Sequence, residues 1–192
     1  MKKNYFVFLL VLVLFGGCKT TKPVSNSKEV TKPAVVPDVA PAPVNFSNQT
    51  TWILGYFDPD RLTHYPYSTW YDKGFDDYQP KSEALNNLLD LNKNDITIKV
   101  VMGTWCPDSR REVPRFMKVL NLWHFPVTKL TFIGVDNEKH SPVGEYVSLG
   151  IVRVPTFIVY KNNIEAGRII ENPTTSLEQD IVNILAGMNN NK

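Results

Sequence analysis

The chain predicts an α/β fold built on a mixed sheet, and three observations point there. Two apolar runs, Ile96-Thr97-Ile98-Lys99-Val100-Val101-Met102 and Lys129 to Val135, read as buried strands. Between them Phe116, Val119, Leu120 and Trp123 recur three and four apart, a helical pattern. A helix between two such strands implies a parallel pair with a right-handed crossover. Next, Phe157-Ile158-Val159-Tyr160, the turn Lys161-Asn162-Asn163 and the run Glu165 to Ile170 make an antiparallel hairpin. Last, Ser176-Leu177-Glu178-Gln179 is a capping box that opens a helix with Leu177, Ile181, Ile184 and Leu185 on one face.

The remaining elements follow in order. Lys2 and Lys3 precede an eleven-residue apolar run, Tyr5 to Phe15, too short to span a bilayer comfortably, so residues 1–17 read as a targeting signal. Residues 18–45 hold Pro23, Pro33, Pro37, Pro41 and Pro43 among Ser, Thr, Lys and Val, the composition of a semi-stiff tether. At about 3.1 Å per residue it reaches up to roughly 80 Å. Composition then changes abruptly. Between Phe46 and Gln79 lie Trp52, Tyr56, Phe57, Tyr65, Tyr67, Trp70, Tyr71, Phe75 and Tyr78. This part of a 46–94 extension either packs its aromatics on the domain or offers an aromatic surface to a peptide or sugar.

Ser82 is expected to cap a helix with Ala84, Leu85, Leu88 and Leu89 on one face. The α/β domain proper covers 95–188. Pro114 falls inside its first helix and is expected to kink it. A short helix from Val143 to Leu149 ends at Gly150, Gly187 ends the last helix, and 189–192 make a disordered tail.

Composition excludes several functions. The 192 residues carry a formal net charge of +2, and Lys2 and Lys3 of the leader account for all of it, so nothing favours nucleic acid. No phosphate-binding glycine loop appears, and no cofactor is implied. The three histidines lie at no metal-ligand spacing, so no metal site is expected. His140 is the one placed at a strand's C-terminal end, beside the chemistry below.

That chemistry sits in Gly103-Thr104-Trp105-Cys106-Pro107-Asp108-Ser109-Arg110-Arg111-Glu112-Val113-Pro114, where a strand hands over to a helix. Backbone N–H groups and the helix dipole at such a terminus favour a thiolate over a thiol. Of two cysteines, Cys106 is the only one in the interior of the chain. An exported lone thiol invites mixed disulfides or a reactive role.

Two resemblances extend this reading. Gly16-Gly17-Cys18 after the apolar run resembles a bacterial lipoprotein signal, cleaved before Cys18 with lipid on its sulfur, although Phe15 stands where that pattern usually has leucine. An ordinary signal peptide or an N-terminal anchor is the alternative. The lipid would place the chain in the bacterial cell envelope, on the extracytoplasmic (periplasmic) side. Lys19 after Cys18, where aspartate would suggest inner-membrane retention, leans toward the outer membrane.

The order strand, Trp105-Cys106-x-x-Ser109 helix with internal Pro114, strand, helix, Val154-Pro155-Thr156, hairpin, helix is similar to the thioredoxin superfamily, above all to its membrane-tethered extracytoplasmic members. The resemblance implies a thioredoxin-like three-layer α/β/α sandwich with a central mixed sheet, here with an aromatic N-terminal extension. It also implies attack by Cys106, a cis peptide before Pro155, and substrate docking along Trp105, Pro107, Val154, Pro155 and Thr156. The family's second cysteine is replaced by Ser109, whose hydroxyl is expected to hydrogen-bond the Cys106 thiolate but cannot attack a mixed disulfide. Val100 stands where ordinary thioredoxins bury a carboxylate. Asp108, Arg110 and Glu112 are the candidates for proton transfer or thiolate tuning.

The function expected is monothiol thiol–disulfide exchange with protein or small-molecule thiols and disulfides. The alternative is a redox-inactive module that holds extended peptides beside Pro155.

Overall fold

The computed structural model describes residues 43–189. The expected leader, the expected lipidation site Cys18, most of the tether and the end of the tail lie outside the described residues. Five strands form one sheet: β1 (Gly55–Phe57), β2 (Ile96–Met102), β3 (Leu130–Gly134), β4 (Thr156–Lys161) and β5 (Ile164–Ile170). Their order is β1-β3-β2-β4-β5. Strands β2 and β3 are parallel, with Ile98 opposite Leu130 and Met102 opposite Gly134. The pairs β2–β4, β4–β5 and β1–β3 are antiparallel. The hairpin turns at Asn162 and Asn163, with φ of 53° and 63°. Asparagine tolerates the left-handed region that a two-residue turn requires.

Among the described residues four helices accompany the sheet: α1 (Ser68–Asp77), α2 (Ser82–Leu89), α3 (Pro107–Leu122) and α4 (Leu177–Asn189). The strands' alternation decides what each covers. Ile96, Ile98, Val100 and Met102 of β2, with Phe132, Phe157 and Val159, face a cluster that includes Val113, Phe116, Leu88 and Ile181. Phe116 and Phe157 stack at 4.1 Å across this interface. The opposite parity, Val101, Ile133 and Ile158, packs on Val143, Tyr146 and Leu149. The result is a thioredoxin-like α/β sandwich whose second outer layer is thin. The helix expected over Val143–Leu149 is reduced to a 3-10 turn, Tyr146–Leu149, closed by Gly150 at φ 59°.

Two further expectations are corrected. Ser82 is the first residue of α2 and not its cap: Lys81 holds the cap position without a side-chain bond. The Glu178 carboxylate accepts from the Lys81 N–H at 2.9 Å instead, so a distant side chain does the local residue's work. Helix α3 carries Pro114 inside a single span from Pro107 to Leu122. A Cβ on Gly74 of α1 would fall 2.6 Å from the Pro114 ring, so glycine is what lets α1 pack closely there. At the last helix only half of the box forms: Gln179 N–H donates to Ser176 Oγ at 3.4 Å, while the Gln179 side-chain amide donates to Asn183, and the helix runs past the expected end at Gly187 to Asn189.

The segment 46–79, expected either to pack its aromatics on the domain or to offer an aromatic surface, packs most of them on the core. It supplies β1, α1 and two 3-10 turns. Tyr67 and Tyr71 are buried in the main core, with Phe46, Phe57, Trp70, Phe75 and Tyr78 packed against it. Burial, then the nearby Asp72 and Asp60 carboxylates, push the Tyr71 hydroxyl up to about 12.

Glu178 ties the extension to α4. Burial pulls its carboxyl upward. Hydrogen bonds from Ser176, Lys81 N–H, its own N–H and Tyr78 outweigh that and hold it below the usual range. A lowered folded value means stability that is present above the ordinary value near 4.5 and is lost as pH falls through the folded one. Glu178→Gln is expected to cost roughly 2 kcal/mol at neutral pH, the scale of a hydrogen bond to a charged group. Urea titrations from pH 7 down to 3 check this, and the gap between the two proteins should narrow below pH 4.5.

Candidate functional site

The site grows from the end of β2. Gly103 leaves the strand and Cys106 takes the N-cap position of α3, with Pro107 at the first helical position. Proline suits that place because its missing N–H would be unpaired there in any case. Cys106 N–H donates to Gly103 C=O at 3.0 Å, and Cys106 C=O accepts from Arg110 N–H at 3.1 Å. The thiol donates to the Val154 carbonyl at 3.3 Å. The Val154–Pro155 peptide is cis. Cys106 and Val154 are thus brought together from 48 residues apart, and the sulfur is 6% exposed.

The other expected site residues divide. Ser109 is fully buried, and its hydroxyl accepts from Gly103 N–H at 3.3 Å. The structure therefore directs Ser109 to the backbone and the Cys106 thiol to Val154, rather than to each other. Thr156 donates its hydroxyl to Arg153 C=O at 2.6 Å, and its backbone pairs with Val101 and Ile170 inside the sheet. The residue before Pro155 differs: Val154 N–H has no backbone partner among the described residues. Trp105 donates its indole N–H to Val135 C=O at 2.9 Å and tilts against Trp52. It folds back over Gly103, where any Cβ would meet the indole at 2.4 Å.

The charged candidates are mostly committed to one another. Glu112 is buried and accepts from Arg111 at 2.7 Å and Arg115 at 2.9 Å. Asp108 pairs with Arg111 at 2.7 Å. The buried Glu112 carboxylate, held by two guanidiniums, thus anchors this face of α3. Arg110 differs: its guanidinium lies 4.9 Å over the Phe46 ring. Burial lowers its pKa, and the neighbouring Cys106 acts the other way. His140 is exposed, with its ring 3.5 Å from Glu138 and 3.7 Å from Asp136. Among the described residues no three His, Cys, Asp or Glu side chains gather to hold a metal ion.

Sequence reasoning missed a collar around the motif. Thr104 donates to Thr51 C=O at 2.9 Å and accepts from Ile53 N–H at 3.4 Å. Trp52 donates to Phe46 C=O at 3.0 Å, and Tyr67 OH reaches Thr51 C=O. Residues 46–53 therefore wrap Gly103–Arg110. The aromatic density of the extension was the available signal, but nothing in it named the motif as the partner.

No family model matches the chain, and no curated protein matches it. Among solved structures it is similar to a protein of unknown function from Pseudomonas aeruginosa. They share 15% identity over 65% of this chain and 82% of that one, with a TM-score of 0.43. It is also similar to an HIV epitope scaffold, at 16% identity over 65% and 83%, with a TM-score of 0.42. Neither likeness is strong enough to carry an argument. Among the described residues no helix is long and apolar enough to cross a membrane.

Proposed function

We propose that the protein exchanges thiols and disulfides through Cys106 alone, acting on exported proteins or small thiols. The observation that carries this reading is the sulfur at the N-cap of α3, 3.3 Å from the Val154 carbonyl. Cys106 Sγ, as thiolate, attacks one sulfur of a partner disulfide. That S–S bond breaks, the Cys106–partner bond forms, and the departing sulfur takes up the proton that Cys106 released. A second thiol, from the partner or a small molecule, then attacks the mixed disulfide and returns Cys106 as a thiol. Ser109 supplies no such sulfur, so the resolving thiol comes from outside the chain. The free Val154 N–H beside the sulfur, with exposed Val152 two residues earlier, supports docking of an extended segment there. The leader supports a lipid on Cys18 that holds the domain to the extracytoplasmic face of a bacterial envelope, with the outer membrane favoured.

The burial of Cys106 favours a second reading, a groove that holds an extended peptide without exchange. One experiment separates them. Envelope fractions are quenched with an alkylating agent and run without reductant. The exchange reading expects reducible adducts with the unaltered chain and none with Cys106→Ala. If neither chain forms adducts while both retain the same peptide ligands, the binding reading replaces it.

A further inference from the structure

On the flank of α3, where α1 packs against it, lies an open cleft of about 400 Å³. Its wall includes Trp70, Lys73, Tyr78, Arg110, Arg111 and Arg115. Most of this positive charge is already answered. Lys73 pairs with Asp77, Arg111 with Asp108 and Glu112, and Arg115 with Glu112. Arg110 alone among the lining cations has no carboxylate partner among the described residues. Its contact is the face of Phe46 at 4.9 Å. A half-buried guanidinium that has lost water and gained no counter-charge is an open place for an anion.

The same ring leads to a second vacancy. Phe46 meets Trp70 edge-on at 6.4 Å, and the Trp70 indole N–H is buried with no hydrogen-bond partner. One unpaired cation and one unpaired donor, both on residues of this wall, thus flank the Phe46 ring. Because only one positive charge is unanswered, the complement is a monoanion, a carboxylate rather than a phosphate dianion. The rings of Trp70 and Tyr78 suit the apolar spacer that carries it.

We infer that the α1–α3 cleft binds a carboxylate ligand, a small organic acid or an acidic peptide side chain, with Arg110 as its anchor. This does not rest on exchange at Cys106. It has a consequence for that site all the same. Arg110 lies one turn beyond Cys106, so a bound carboxylate and a charged sulfur would share one cation and weaken each other.

The test titrates the full chain at low salt with butyrate and, separately, with the capped single-glutamate peptide acetyl-Gly-Glu-Gly-amide, followed by calorimetry; butyramide and the corresponding glutamine peptide are the neutral controls. Saturable binding of butyrate assigns the cleft to free acids, and binding of the peptide alone assigns it to a partner's acidic segment. In either case Arg110→Gln is expected to weaken binding about tenfold or more. Arg110→Lys should retain part of it. Lys73→Gln, at an exposed and already paired position, should stay within about twofold. Cys106→Ala should still bind, which keeps this result separate from the fate of the exchange reading. Binding of neither acid, or binding that Arg110→Gln leaves unchanged, overturns the inference.

Discussion

Ser109→Cys is expected to turn Cys106 into half of a reducible intramolecular pair. Ser109 lies one helical turn from Cys106, is fully buried, and loses only a 3.3 Å hydrogen bond from Gly103 N–H on replacement. A thiol accepts that bond weakly, so the cost to stability is about 1 kcal/mol. After mild oxidation, thiol titration should find neither sulfur at 106 or 109 free, and dithiothreitol should restore both. Under the proposed exchange reaction, the variant should also release any partner bound as a mixed disulfide at Cys106, because a resolving sulfur now stands beside the attacking one. Two persistently free thiols in the folded variant would contradict the site geometry described here.

Gly134→Ala should be the most damaging single methyl in the fold. A Cβ there would lie 2.0 Å from the Ile53 carbonyl oxygen and 2.7 Å from its carbon. Both are backbone atoms, so no side chain can swing away. Strand β1 and the collar residues before it would have to move off β3 and take with them the Thr104 bonds to Thr51 and Ile53. A cost of about 3 kcal/mol is expected, at the upper end for overpacking. For a chain of this size that lowers Tm by roughly 6–12 °C. Gly187→Ala is the control, since a Cβ there meets nothing within 4 Å. It should leave Tm unchanged or slightly raised.

The two substitutions touch different kinds of information. The pair β2–α3–β3, the hairpin and the capped α4 were legible because each carries its own period: alternation in a strand, three-and-four spacing in a helix. The motif was legible for the same local reason, a cysteine at a strand–helix junction with serine three residues on. Strand β1 was not, because Gly-Tyr-Phe is three residues long and acquires its structure from pairing with β3. Helix α1 was hidden by Gly74 and a run of polar residues, and becomes a helix against the Pro114 surface of α3.

By itself, then, the sequence determined the α/β class, the lone interior thiol, the absence of a second sulfur at position 109 and the Val-Pro-Thr loop. These are properties of composition and short-range spacing. Tertiary structure alone decided that the Cys106 thiol turns to Val154, that Thr104 bonds Thr51 and Ile53, and that Arg110 meets the Phe46 ring rather than a carboxylate. A side chain's hydrogen-bond or charge partner is chosen by what packing brings within about 3 Å. Here those choices include contacts across 48 to 53 residues, and no local period encodes them.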